Sequence, residues 1–284
     1  PYNWDGTNPE TYNYRTAVTV PLANATTPIQ PSASSDILAT SGYGTSDILY
    51  ANYLNPLASS TGVSVGVMKF TIRDGGSGFS DTDVLNTVLD AITIQVNDAS
   101  SIQSAALFGG VTQSSRLAYG VVSGNDLIFS SLSSVGSDVT ALDGFGKDLT
   151  LRITFKTPVT DNFQLVYTIT SANTAAAGAS ASSLFGAFAN QVSNVAGTVN
   201  QIEVVADRLS FTTQPGNGSV NQALTGFTVS AVDGNAQLDQ DAGNPFTLTT
   251  SSGSNYSSGS PYSLVNGAKT ISDVVYSAAK TSEK

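Results

Sequence analysis

The chain has 284 residues, room for about two domains of ordinary size. Its formal net charge of −10 disfavours nucleic acid and anionic membrane as partners. It has no Cys and no His, which excludes disulfides, thiolate nucleophiles, zinc–thiolate sites and imidazole bases.

Charged residues make up only 11%, against a usual figure of about 25%. Apolar residues, at 40%, suffice for a core. Ser, Thr, Asn and Gly take the surface positions that Lys and Glu normally hold. Among the acids, Asp outnumbers Glu eighteen to three. Asp, Asn and Gly favour turns and Glu favours helices, so the chain reads as strands joined by turns. No apolar run approaches the roughly 20 residues needed to span a bilayer. No signal peptide is visible, and the expectation is an upstream or removed N-terminus.

Residues 1–32 read as a connector or the end of a preceding module. They hold one strand, Ala17–Leu22, and four rings, Tyr2, Trp4, Tyr12 and Tyr14. Those rings suit either a sugar-stacking face or a cover over the next domain.

From residue 33 to 205 the pattern predicts a large β-sandwich. Met68, Phe70 and Ile72 alternate with Lys69, Thr71 and Arg73, and Ile92, Ile94 and Val96 alternate with Thr93, Gln95 and Asn97. Leu149, Leu151, Ile153 and Phe155 repeat the pattern, as do Phe163, Leu165, Tyr167 and Ile169 after the turn TPVTDN. Period two means one buried and one wet face, the mark of an antiparallel sheet. The last two runs flank a short turn and predict a hairpin. Two stretches depart from the pattern. Asp81–Ile92 is expected to form a short helical turn, because Val84, Leu85, Val88 and Leu89 fit helical spacing. Asn173–Thr198, rich in Ala, Ser, Gly and Asn, is expected to be a long surface loop, tacked down by Leu184, Phe185 and Phe188.

A second module is expected from 206 to 284. FTIRDGG (70–76) and FTVSAVDGN (227–235) echo each other. Each is a strand ending in Asp-Gly, followed by Asp-x-Asp: Asp81 and Asp83 in the first, Asp239 and Asp241 in the second. The run KTISDVVYSAAKTSEK leaves this module short of final strands, so it reads as incomplete. The expected fold is therefore all-β: tandem antiparallel β-sandwiches, immunoglobulin-like.

These carboxylates also suggest a metal. Ca²⁺ takes six to eight oxygens from carboxylates, carbonyls and water. Asp233, Asn235, Asp239 and Asp241 put four oxygen-bearing side chains within nine residues, and Asp74, Asp81 and Asp83 form a weaker second set. Neither loop has EF-hand spacing. The competing reading is that these Asp residues cap turns and keep the surface soluble. No His-dependent triad can be built and no G-x-S-x-G elbow occurs, so an enzyme is not expected.

SASSDILAT, VGVMKFTIRDGGSGFSDTDVLNTVLDAITI, KTPVTDNFQLVYTITSA, NQIEVVADRLSFTTQP and FTVSAVDGN resemble modules repeated in giant Bacteroidota cell-surface adhesins. These include gliding-motility adhesins exported by the type 9 secretion system. The resemblance covers about residues 33–250, and in such proteins DRLSFTTQP opens an immunoglobulin-like module. It implies a stalk or filament segment at the extracellular bacterial cell surface. Neighbouring modules, surface glycans or proteins, and the type 9 secretion machinery would be its partners. The alternative is a carbohydrate-binding module of a secreted multidomain enzyme.

Overall fold

A computed structural model describes residues 31–175, 182–186, 191–192, 199–251 and 256–279. The connector strand Ala17–Leu22, the rings of Tyr2, Trp4, Tyr12 and Tyr14, and Phe188 lie outside the described residues.

The chain is mostly β. Among the described residues, the first twelve strands are β1 (Asp36–Ala39), β2 (Asp47–Leu49), β3 (Val65–Arg73), β4 (Thr87–Val96), β5 (Ile102–Gly109), β6 (Ser115–Ser123), β7 (Asp126–Phe129), β8 (Thr140–Ala141), β9 (Gly146–Phe155), β10 (Tyr167–Thr174), β11 (Gln191–Val192) and β12 (Gln201–Glu203). Ten of them form one antiparallel sheet in the order β1-β3-β9-β5-β6-β7-β4-β10-β11, with β8 on β4. β12 pairs in parallel with β2. The sheet curls into a half-barrel. Phe70, Leu151 and Ile153 from one half meet Ile94, Phe129 and Ile169 from the other in one buried cluster. The alternating residues build these strands because successive side chains leave a strand on opposite faces.

Three expectations need correction. The runs around TPVTDN do not form a hairpin: β9 and β10 are separated in the sheet by β5, β6, β7 and β4. Alternation specifies which residues face the core, not which strand lies alongside. Asp81–Ile92 is not helical. β4 begins at Thr87 and buries Leu89 and Ile92, while Val84, three residues before it, is 68% exposed. The β-branched run Val88, Ile92, Thr93 and Ile94 suits a pleated strand, and β7, β8 and β10 supply its ladder partners. The Asn173–Thr198 stretch is also not all loop. Asn173 and Thr174 finish β10, and Gln191–Val192 pairs with it as β11. Phe185 packs on the core, whereas the Leu184 side chain is exposed and its carbonyl accepts from the Ser35 amide at 3.2 Å.

The outer face of β9 is drier than alternation suggests. Thr150 and Thr154 are buried there. Thr154 donates to the Pro56 carbonyl at 2.7 Å, and Ala58 covers Ala106 and Phe108 of β5. The segment after β2 thus roofs the middle of the sheet.

Seven strands follow: β13 (Arg208–Thr213), β14 (Phe227–Val232), β15 (Pro245–Phe246), β16 (Tyr256–Ser257), β17 (Tyr262–Ser263), β18 (Ala268–Ile271) and β19 (Val275–Tyr276). β13, β14 and β18 form an antiparallel sheet, while β15 pairs with β17 and β16 with β19. Their buried cluster is small: Phe227, Val229, Tyr262, Ile271 and Val274. It is separate from the first cluster, whose last member is Val204. Hydroxyls face each other across the three-stranded sheet, Thr212 with Ser230 at 3.0 Å and Thr228 with Thr270 at 3.2 Å.

Phe155 is fully buried at the end of β9, while Val121 on β6 is 66% exposed. Phe155→Ala is expected to cost about 3–5 kcal/mol. Val121→Ala should stay within about 0.5 kcal/mol. Urea unfolding followed by circular dichroism checks both.

Candidate metal centre

The two Asp-Gly turns have the same sequence pattern but different roles. Asp74 follows β3 and is fully buried. One of its oxygens accepts from Thr87 at 2.5 Å and Ser35 at 3.4 Å, and the other from the Gly144 amide at 3.0 Å. It therefore ties neighbouring loops together. Gly75 beside it has φ +66°, and a Cβ there would lie 2.3 Å from the Ser80 amide nitrogen, so only glycine fits. Asp233 instead organises its own turn. Its Oδ1 accepts from the amides of Asn235 at 2.9 Å and Gln237 at 2.8 Å. Its Oδ2 accepts from the Tyr50 hydroxyl, and from Asn235 Nδ2 at 3.3 Å. Burial pushes this carboxyl up, but these donors outweigh it and hold it below the usual range.

Among the described residues, two groups of acids bring carboxylate oxygens within 4.8 Å of one another. The first is Asp74, Asp81 and Asp143. Asp81 is half-buried, and its carboxyl is raised by burial and by the charges of Asp83, Asp74 and Asp143. Asp83 stands outside this group. Its oxygens accept from the Leu85 amide at 2.7 Å, the Ser183 hydroxyl at 2.9 Å and the Ser32 amide. The second group is Asp161, Asp239 and Asp241. The four-oxygen set expected from Asp233 to Asp241 is thus divided. Asp233 and Asn235 serve the turn and Tyr50, while Asp239 and Asp241 join Asp161 from before β10.

Asp161 and Asp239 are buried and well supplied with donors. Asp161 accepts from the Val204 amide at 2.7 Å, the Gln240 amide at 2.7 Å and Asn162 Nδ2 at 3.1 Å. Asp239 accepts from the Ala206 and Ala242 amides, both at 2.8 Å. Asp241 is exposed. Its carboxyl is raised, first by sharing a hydrogen bond with Asp239, then by burial, then by the charges of Asp239 and Asp161. Burial, followed by the charges of Asp161, Asp241, Asp47 and Asp239, raises the neighbouring Glu203 as well. Negative charge is therefore in excess around Asp241. A carboxylate offers about four lone-pair sites, so the group retains oxygens for a hard cation. A Ca²⁺ ion there would need carbonyls and water to complete its shell. The same backbone donors equally suit the capping reading.

The sequence reading missed Asp143, Asp161 and Tyr50. Asp143 was readable, because Asp143-Gly144 repeats the Asp-Gly step of 74–75 and 233–234. Asp161 and Tyr50 carry no local signal, since their partners lie far along the chain. Among the described residues no helix is long and apolar enough to cross a membrane. Comparison with protein-family models and with curated proteins finds no match.

The raised Asp241 carboxyl has a definite pH signature. The folded state holds that proton more tightly than the unfolded chain does. The linked stability is complete below the ordinary Asp range and is lost as pH rises through the raised folded value. Asp241→Asn abolishes that loss. In chelator, the variant should melt above wild type at pH 7, with the difference closing as the pH falls below the ordinary Asp range. Thermal melts at stepped pH test this.

Proposed function

We propose that the chain is a structural segment, a stalk or filament piece, of an extracellular bacterial cell-surface adhesin used in gliding motility or surface attachment. Its two units are tandem antiparallel β-sandwiches, the second immunoglobulin-like. Its partners are neighbouring modules of the same polypeptide, surface glycans or proteins, and the type 9 secretion machinery during export.

The observation that carries this reading is the placing of entry and exit on the first unit. The chain enters beside Asp36 and Arg73, which pair at the end of β3. It leaves past Asn200, whose side chain donates to the Val67 carbonyl near the other end of β3. The six steps of β3 from Val67 to Arg73 set those points roughly 20 Å apart. Entry and exit thus lie toward opposite ends of β3, an arrangement that suits a stalk. The resemblance of the quoted segments to repeated adhesin modules supports the same reading.

Calcium belongs to this proposal as a stabiliser of the loops. The sites are Asp161 with Asp239 and Asp241, and Asp74 with Asp81 and Asp143. A cation there would offset the repulsion among these carboxylates and would stabilise the fold by mass action.

Two measurements test the proposal. Antibody to residues 33–205 should label intact source cells and lose its signal after protease shaving. Signal confined to the cytosol would overturn the surface assignment. Millimolar calcium should raise the melting temperature relative to chelator, and Asp239→Ala with Asp241→Ala should reduce the rise. Equal melting of wild type in both conditions would leave capping as the role of these carboxylates.

A further inference from the structure

We propose that Tyr50 and the Asp233 turn form a peg and socket that fixes the second unit rigidly to the first, without a cation. Side-chain geometry at the joint carries this assignment, independently of the stalk reading.

Tyr50 opens a short 3-10 turn, Tyr50–Tyr53, directly after β2. It is fully buried, though it comes from a connecting segment. Its ring belongs to the first core and meets Phe155 edge-on, with centroids 6.5 Å apart at 85°. Its hydroxyl points out of that core. It donates to Asp233 Oδ2 and accepts from Asn235 Nδ2 at 3.1 Å. The peg is thus held at its base by apolar packing and at its tip by the second unit. The socket cannot turn away, because the Asn235 and Gln237 amides hold the other Asp233 oxygen.

Further bonds surround the peg, and each joins a residue before Val205 to one after it. The Val159 amide donates to Gln237 Oε1 at 2.9 Å. The Asp161 carboxylate accepts from the Gln240 amide at 2.7 Å, and its carbonyl from Gln240 Nε2 at 3.1 Å. Asp161 also holds the Val204 amide, so one residue grips both the linker and the second unit. A bend at the joint must break these bonds together, taking the Gln240 amide from buried Asp161 and the Tyr50 hydroxyl from buried Asp233. Buried carboxylates resist that strongly.

The test is residual dipolar couplings on the whole chain in chelator. In wild type, the couplings of residues 33–205 and 206–279 should fit one alignment tensor of one magnitude. Tyr50→Phe keeps the ring and its packing on Phe155 but removes the hydroxyl. Each unit should still fit its own coordinates, which shows that both remain folded. The second unit's tensor should shrink relative to the first, and Gln237→Ala added to Tyr50→Phe should shrink it further. Two unequal tensors in wild type, or a single tensor restored only by calcium, would overturn the proposal. So would a Tyr50→Phe variant whose two units still share one tensor.

Discussion

Buried negative charge is the constraint around which this protein is organised. Asp74, Asp83, Asp161, Asp233 and Asp239 are all buried, in a chain with 21 acids and 11 bases. A charge leaves water cheaply only when it is paired or hydrogen-bonded. Cations are too few to serve everywhere. The ion pairs Lys69–Asp148, Arg73–Asp36, Lys147–Asp138 and Arg208–Asp207 all involve side chains that keep some contact with solvent. The buried acids turn instead to amides and hydroxyls. Each one therefore stands where loops converge and free N–H groups are available, and each ties those loops in place.

That arrangement also relates the two units. The first has a long, continuous apolar interior, from Ile37 to Val204. The second has five buried apolar residues in its cluster and several two-residue strands. Small cores supply little stability by themselves. The turn at Asp233 and the loop at Gln240 are both fastened to residues of the first unit, Tyr50 and Asp161. Order in the larger unit is thereby extended into the smaller one through directional bonds rather than through a shared interior.

Much of the strand content was legible because period-two alternation is a direct image of a strand with one dry face. Leu149, Leu151, Ile153 and Phe155 are all fully buried, and Phe227–Val232 is a strand running up to the Asp-Gly step, as the sequence pattern implies. Strand neighbours were not legible. Nothing in the residues of β9 or β10 says that four strands lie between them. The helical reading of Asp81–Ile92 failed because short apolar runs fit both periods, and the neighbouring strands settled the outcome. At the acid clusters, the residue types and four of the six positions, Asp74, Asp81, Asp239 and Asp241, were read from the sequence. Asp81 and Asp241 belong to the groups, while Asp83 and Asp233 look identical in sequence and are engaged elsewhere. Local spacing cannot reveal that Asp161, some eighty residues upstream of Asp241, completes the second group.

The hydroxyl pairs on the three-stranded sheet have a consequence of another kind. Thr212 with Ser230, and Thr228 with Thr270, join neighbouring strands where many proteins place Lys opposite Glu. Coulomb attraction between exposed charges fades as ions crowd in, over about 8 Å in physiological saline and about 3 Å in 1 M salt. A bond between two neutral hydroxyls has no net charge to screen. The contribution of these two pairs is therefore insensitive to ionic strength.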